Sequence, residues 1–189
     1  CPAIRQAPLA IIGSRSIASS AATTHRTWRR SKERKFEILR EDIIKVNLDA
    51  TNKWEAIQEL VDLLISAHEL RLTDRNEIIE GVFARERSLS TGLEHGIAVP
   101  HAVVNCVEDV IAALGTSQTG IPFESRDGQP AKLVILLLIP QGAFQRHVRT
   151  LAGIAHLGVN PELRNQLFDA KTSAEVMDVL VRADSLYGD

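Results

Sequence analysis

The chain has 189 residues, 44% of them hydrophobic and 4% aromatic, which is enough for one globular domain of ordinary size with a tail. Its 22 Lys and Arg and 24 Asp and Glu give a formal charge of −2, which excludes a uniformly basic nucleic-acid binder. The charge is uneven, because residues 1–40 carry nine basic and two acidic residues while residues 41–189 carry 13 and 22. The chain is therefore a basic arm joined to an acidic body.

The cysteines and the longest apolar run bear on the cellular compartment. Cys1 and Cys106 are the two cysteines and form no CxxC motif, which favours a reducing compartment. The longest apolar run, Leu133 to Ile139, has 7 residues, whereas a bilayer-spanning helix needs about 20. We expect the body to be cytoplasmic and not to insert into a membrane.

Residues 1–36 differ from the rest in composition. Ser, Ala, Thr and Arg dominate, and no acidic residue precedes Glu33. Such a stretch buries too little apolar surface to offset the entropy of ordering, so we expect a disordered basic arm, or an extension from a misplaced start site, since the chain opens on Cys1. A functional arm, an organelle transit peptide and a lipoprotein anchor are the alternatives. We expect one domain over residues 37–189.

The first half of the body predicts a strand followed by two helices. Ile44, Val46 and Leu48 alternate with polar residues, as in a short strand. Apolar residues at helical spacing then predict an amphipathic helix within residues 52–70. A second helix is expected to begin near Asp74, with the Asp74 side chain as its cap. Its buried face comprises Ile78, Ile79, Val82 and Phe83.

The second half of the body predicts strands followed by helices. Three apolar segments, 96–99, 110–114 and 133–139, are candidate strands, and the last is apolar on both alternations, so both of its faces should be covered. An apolar helical stripe runs from Val148 to about Gly158, and Asn160 and Pro161 then favour a helix start. Ser173 is expected to cap a final helix. This order predicts a single α/β domain with helices flanking a mixed β-sheet.

The histidines are the candidate reactive residues. By position alone we expect structural roles for three of the six, namely His25, His68 and His156. His101 follows Pro100 at the end of a strand-like segment, and proline, which has no N–H to donate, ends regular strand pairing. A side chain at a strand end on a rigid scaffold is a common place for a reactive group, although a Pro-His pair alone is weak evidence.

The sequence around His101 resembles a known signature. Residues 85–101 read RERSLSTGLEHGIAVPH and closely resemble the phosphorylation-site signature of the fructose/mannitol-type enzyme IIA (EIIA) domain of the bacterial phosphoenolpyruvate-dependent sugar phosphotransferase system. The matching residues are Arg85, Glu86, Ser90, Thr91, Gly96, Ile97, Ala98, Val99, Pro100 and His101. Later landmarks also match, including the strand 133–139 and His147, so the resemblance covers about residues 37–183. It implies the mixed-sheet fold of that family, which includes a nitrogen-regulatory branch.

The resemblance implies that His101 accepts a phosphoryl group from the phosphohistidine of the carrier protein HPr. The group would pass to a cysteine of an EIIB domain, or it would act as a regulatory state read by another protein. Arg85 and His147 match the residues that stabilise the phosphoryl group, and no metal, nucleotide or other cofactor is implied. A neutral imidazole is nucleophilic at cytoplasmic pH, and an Arg fork bonds two phosphoryl oxygens at once.

Simpler interpretations of these two residues stay open. Arg85 could instead be a helix-end arginine paired with Glu80 or Glu86, and His147 could be a core histidine. Ser90 and Thr91 are weaker candidates for a hydroxyl near the site.

The sequence also admits other functions. A phosphorylation-dependent binding module without sugar transport is the main alternative to a transport component. A metal site formed by His95, His101 and His147 is disfavoured, because no HxH, HExxH or carboxylate cluster accompanies them. We interpret His95 as a surface substitution in a turn, and Cys106 as a buried small hydrophobic residue rather than a phosphoryl acceptor.

Overall fold

A computed structural model of the chain describes residues 38–142, 153 and 157–187. The expected basic arm therefore lies outside the described residues, as do His147 and most of the helix expected to end near Gly158. Within these described residues the structure has one five-stranded sheet.

A mixed sheet of five strands forms the centre of the domain. The strands are β1 Ile44–Lys45, β2 Ile97–Ala98, β3 His101–Val104, β4 Ile111–Ile121 and β5 Ala131–Pro140. The long β4 and β5 pair antiparallel, β1 lies parallel to β4, and both β2 and β3 lie parallel to β5. The expected mixed sheet is confirmed. The first strand is shorter than expected, because Asn47 takes a left-handed φ of 59° and the chain leaves β1 before Leu48.

The central strand β5 is buried and gives the neighbouring strands a rigid support. Every residue of the run 133–139 is at most 3% exposed, and the helices Lys53–Ser66 and Pro161–Asp169 both contact β5. A strand covered on both faces is apolar on both alternations, as the sequence predicted. β2 and β3 therefore lie against the most buried strand of the sheet, and β3 begins with His101.

Four helices have both ends within the described residues, namely α1 Lys53–Ser66, α2 Arg75–Ser88, α3 Pro161–Asp169 and α4 Ser173–Tyr187. Asn52 caps α1, since its Oδ1 accepts from the backbone N of Trp54 at 3.1 Å and of Glu55 at 3.0 Å. Asn160 caps α3 in the same way, and Pro161 occupies the first helical position as predicted. These two helix starts follow directly from local sequence.

Two other expected caps are wrong. Asp74 has a helical backbone conformation and makes no side-chain cap bond, because a 3₁₀ turn, Leu72–Asp74, leads directly into α2 and the carboxylate pairs with Arg71 at 3.4 Å. Ser173 lies inside α4, and the hydroxyl of Thr172 accepts from the backbone N of Glu175 at 3.2 Å instead. Helix α2 thus begins directly after Asp74, as predicted, but without the expected side-chain bond, whereas α4 begins one residue earlier than a Ser173 cap would place it.

Alanine substitutions at two glycines should have opposite effects on the free energy of unfolding. A Cβ at Gly92 would lie 2.7 Å from the backbone oxygen of Phe123, so we expect Gly92→Ala to lower the free energy of unfolding by about 1–3 kcal/mol. Gly81 lies within α2, where a Cβ would meet the nearest atom at 3.8 Å, so Gly81→Ala should raise it by about 0.5–1 kcal/mol. Urea unfolding of both variants tests the pair, and an unchanged Gly92→Ala protein would contradict the close approach.

Candidate functional site

His101 is the first residue of β3, and its backbone is held against the neighbouring strand β5. The residue pairs with Leu137 of the buried strand β5. The carbonyl of the preceding residue, Pro100, accepts from the backbone N of Leu137 at 2.9 Å. The imidazole is half-buried. A rigid, well-supported strand start therefore presents one histidine at the edge of the domain.

The His101 imidazole has a defined protonation pattern. Its Nδ1 lies 2.9 Å from the backbone oxygen of Val99. Because a carbonyl oxygen can only accept, Nδ1 carries the proton in this contact. The neutral ring then carries its lone pair on Nε2, which is the nitrogen able to act as a nucleophile.

The surroundings of His101 favour this neutral ring. Burial lowers the pKa of His101 below its ordinary value of 6.5, and the positive charge of Arg85 acts in the same direction. The hydrogen bond to Val99 and the negative charge of Glu86 oppose this shift. The net lowering means that the ring is uncharged at neutral pH.

The lowered pKa predicts a pH effect on stability. Between the lowered folded-state pKa of His101 and its unfolded value near 6.5, the unfolded chain binds more protons than the folded protein does. The free energy of unfolding should therefore rise as pH increases through this window, and part of it should be lost as pH falls below it. NMR titration of the His101 ring and urea unfolding on either side of the window measure both effects. A ring pKa at or above 6.5 would contradict the prediction.

Arg85 lies in the last turn of α2, close enough for its charge to act on His101. Its Nη1 donates to the backbone oxygen of Leu89 at 2.8 Å, and the side chain is half-buried. The alternative pairing of this arginine is wrong for the described residues, where Glu80 pairs with Arg87 at 3.7 Å and Glu86 with Lys53 at 3.3 Å. The structure thus brings together two of the three predicted site residues, and the third, His147, lies outside the described residues.

Sequence reasoning did not identify the position of Glu86. This carboxylate is 2% exposed, and its Oε2 accepts from the backbone N of Thr91 at 3.0 Å and from the Thr91 hydroxyl at 2.6 Å. One pattern in the sequence could have indicated this burial. Glu86 lies at helical spacing from the apolar Val82 and Phe83, and five residues before Thr91. Ser90 is also used locally, since its hydroxyl donates to the carbonyl of Phe123. The hydroxyls of Ser90 and Thr91 therefore both hold the loop that follows α2.

The remaining candidates are separate from this cluster or peripheral to it. His95 is exposed in a turn with φ 66°, and its backbone N donates to Asp127 at 2.7 Å, in line with a surface turn residue. Cys106 is partly buried against the core, and burial raises the pKa of its thiol. Within the described residues, no group of three or more His, Cys, Asp or Glu side chains is placed to hold a metal ion, and no helix there is long and apolar enough to cross a membrane.

Comparison with known proteins identifies the family of the chain. Residues 37–183 match the family described as "Phosphoenolpyruvate-dependent sugar phosphotransferase system, EIIA 2". The chain is 35% identical over 148 residues to the fructose-specific EIIABC component of Bacillus subtilis, an alignment that covers 78% of this chain and 23% of that relative. It is 33% identical over 135 residues to a nitrogen regulatory protein of Bradyrhizobium diazoefficiens, covering 70% of this chain and 85% of the relative.

A solved structure shows the same fold. The nitrogen regulatory protein IIA-Ntr from Neisseria meningitidis superimposes with a TM-score of 0.69 at 28% sequence identity, over 76% of this chain and 97% of that one. The architecture and the family match define an EIIA domain, a phosphotransferase component. The chain belongs to the type-2 EIIA family of the phosphoenolpyruvate-dependent sugar phosphotransferase system. The resemblance seen in the sequence is confirmed.

Proposed function

We propose that the chain is a phosphocarrier that accepts a phosphoryl group from phospho-HPr on His101. The observation that carries this proposal is the half-buried His101 ring, with Nδ1 bonded to the Val99 carbonyl and the charge of Arg85 acting on it. The proposed division of the chain is a basic arm over residues 1–36 and the phosphocarrier domain over residues 37–189. Its donor and acceptor proteins act in the cytoplasm, where we place the domain.

The chemistry requires little of the protein beyond alignment and charge compensation. The Nε2 lone pair of His101 forms a bond to phosphorus as the phosphorus–nitrogen bond of the donor histidine breaks, and the donor nitrogen keeps that electron pair. The proton stays on Nδ1, and its hydrogen bond to the Val99 carbonyl stabilises the positive charge that the ring gains. The reverse exchange, with a cysteine thiolate as the attacking group, releases the phosphoryl group to an EIIB domain.

Arg85 is proposed to compensate the charge of the phosphoryl oxygens. Its guanidinium presents five donors in a fixed fork, and its distance from His101 is short enough to affect the ring's pKa. His147 is proposed to donate a hydrogen bond to the same group, because it matches the second histidine of the family. No metal or nucleotide enters the reaction, since the donor is another phosphohistidine.

Two features suit docking of protein partners at this edge. Val103 is 63% exposed and lies on the same face of β3 as His101, and Leu89, whose carbonyl holds Arg85, is 68% exposed. Apolar side chains beside a reactive group favour transient protein contact. The acidic body suits a basic partner surface through electrostatic steering. An EIIB acceptor is supported by the Bacillus subtilis relative, which is named an EIIABC component.

A regulatory role is the second candidate. The nitrogen regulatory proteins of Bradyrhizobium diazoefficiens and Neisseria meningitidis are covered over 85% and 97% of their lengths. In this role the chemistry at His101 is the same, but the phosphorylated and unphosphorylated forms bind a regulated protein differently. A neighbouring gene for an EIIC transporter favours transport, and its absence from the genome favours regulation.

Incubation with phosphoenolpyruvate, enzyme I and HPr tests the proposed function. We expect one phosphoryl group per chain, labile in acid and stable in base, located on His101 by peptide mapping. Omitting HPr should abolish the labelling. Purified phosphoprotein mixed with an EIIB domain should then transfer the group if the chain serves transport. Absence of label on His101 would contradict the phosphocarrier proposal.

A further inference from the structure

We propose that Glu86 is a positioning residue for His101. Its buried carboxylate holds Thr91 and, through Thr91, the Val99 carbonyl that accepts the hydrogen bond from Nδ1 of His101. The kinetic consequence rests on the proposed function, but the effect on the orientation and tautomer of the ring does not depend on it.

The burial of Glu86 calls for a compensating partner. Its side chain is 0% exposed and that of Lys53 is 10% exposed, with Oε1 and Nζ 3.3 Å apart. This contact joins opposite charges without hydrogen-bond geometry, so Oε1 depends on the charge of Lys53. A buried carboxylate without such a partner is strongly unfavourable. Lys53 therefore supplies the opposite charge that faces Glu86 inside the domain.

The other carboxylate oxygen is used to hold one residue. Glu86 Oε2 accepts both from the backbone N of Thr91 and from its hydroxyl, at 3.0 and 2.6 Å. Thr91 is itself buried. Hydrogen bonds to a charged acceptor are stronger than hydrogen bonds between neutral groups. The two bonds therefore hold Thr91 against the end of α2.

A continuous path of hydrogen bonds leads from Thr91 to His101. The backbone oxygen of Thr91 accepts from the backbone N of Val99 at 3.0 Å, and Gly92 and Ala98 form an antiparallel bridge beside it. The carbonyl of Val99 then contacts His101 Nδ1 at 2.9 Å. Successive hydrogen bonds share a residue, first Thr91 and then Val99, so a shift of Thr91 is transmitted to the carbonyl that accepts from Nδ1.

This acceptor decides which ring nitrogen carries the proton. While the Val99 carbonyl is in place, the proton stays on Nδ1 and Nε2 keeps its lone pair. When the carbonyl moves away, the alternative neutral tautomer, with the proton on Nε2, becomes accessible, and this form cannot attack through Nε2. A displacement of about 1 Å at a reacting group costs about 10²-fold in rate.

Two double variants separate the acceptor role from the buried charge. Glu86→Leu with Lys53→Met removes both charges and both acceptor bonds, whereas Glu86→Gln with Lys53→Met removes the charges but keeps an amide oxygen facing Thr91. We expect the leucine variant to mix the His101 tautomers in ¹⁵N NMR of the unphosphorylated protein. Phosphorylation by phospho-HPr should slow about tenfold or more with an unchanged KM for the donor. The glutamine variant should recover the Nδ1–H ring and most of the rate.

The chain offers a matched control on α1. Glu59 accepts from the backbone N of Asp49 at 3.1 Å and of Ala50 at 3.0 Å, and it pairs with Lys45 at 2.5 Å. Glu59→Leu with Lys45→Met removes the same chemistry elsewhere and should leave the His101 ring spectrum native. A comparable tautomer change in this control would overturn the assignment, because the ring would then respond to any such loss.

A third variant serves if the leucine variant does not fold. Thr91→Val keeps the side-chain volume, removes one of the two donors, and should mix the tautomers to a smaller extent. A native ring spectrum in a folded Glu86→Leu, Lys53→Met protein would overturn the proposal. If this double variant does not fold, a native ring spectrum in Thr91→Val would overturn it. A native chain that HPr cannot phosphorylate would contradict the proposed function alone, because the ring spectra are measured without phosphorylation.

Discussion

A His101→Asn variant is expected to accept no phosphoryl group from phospho-HPr, a loss of about 10³-fold or more. An asparagine amide has no basic nitrogen lone pair, so the variant lacks the nucleophile that Nε2 supplies. The half-buried position at the start of β3 accommodates the smaller side chain. The measurement is the incorporation of radiolabelled phosphate from phosphoenolpyruvate, with enzyme I and HPr in catalytic amounts.

His68 supplies the matched control for this substitution. It is exposed and has a left-handed φ of 61°, a conformation that asparagine tolerates better than most residues do. His68→Asn should therefore fold and accept a full equivalent of phosphate. Native labelling of His101→Asn would show that another residue is the acceptor.

Local sequence patterns predicted the elements that carry the site. Residues 133–139 are apolar on both alternations, which identified the buried strand β5, and Asn160 followed by Pro161 identified the start of α3. The end of a strand before His101 was also predicted, but the strand β3 that His101 begins was not. These predictions succeeded because each depends on neighbours within a few residues.

The features that were not predicted depend on residues far apart in the chain. Lys53 follows a helix cap and resembles a solvent-exposed residue, yet it pairs with Glu86, 33 positions later. The preferred tautomer of His101 is an exception with a local cause, because the Val99 carbonyl that faces Nδ1 is only two residues away, but a sequence does not show where a carbonyl points. Periodicity specifies which face of a helix is buried, but it does not specify which charged pair is buried with it.

Adjacent residues of opposite charge act on the same imidazole from the end of α2. Successive helical residues point about 100° apart, so the half-buried Arg85 and the buried Glu86 project in different directions. Arg85 lowers the pKa of His101 and Glu86 raises it. The two residues of the Arg-Glu pair therefore have different roles. In our proposal Arg85 faces the phosphoryl group, whereas Glu86 holds Thr91 in the loop after α2.

An Arg85→Gln variant is expected to slow phosphoryl transfer to His101 by about 10² to 10³-fold, measured as a single-turnover rate. Glutamine keeps a donor for the Leu89 carbonyl but loses the charge that compensates the phosphoryl oxygens. The same change removes a positive charge that lowers the pKa of His101, so this pKa should rise and the rate should fall off at a higher pH than in the native protein.

Two further variants identify the property of Arg85 that matters. Arg85→Lys keeps the charge but not the planar fork, so its rate should lie between those of the native and glutamine proteins. Arg87 lies two residues further along α2, pairs with Glu80 at 3.7 Å and lies over the Trp54 ring, so Arg87→Gln should leave the rate within about threefold of native. An equal loss in Arg87→Gln would mean that the helix end as a whole, rather than the Arg85 guanidinium, supports the transfer.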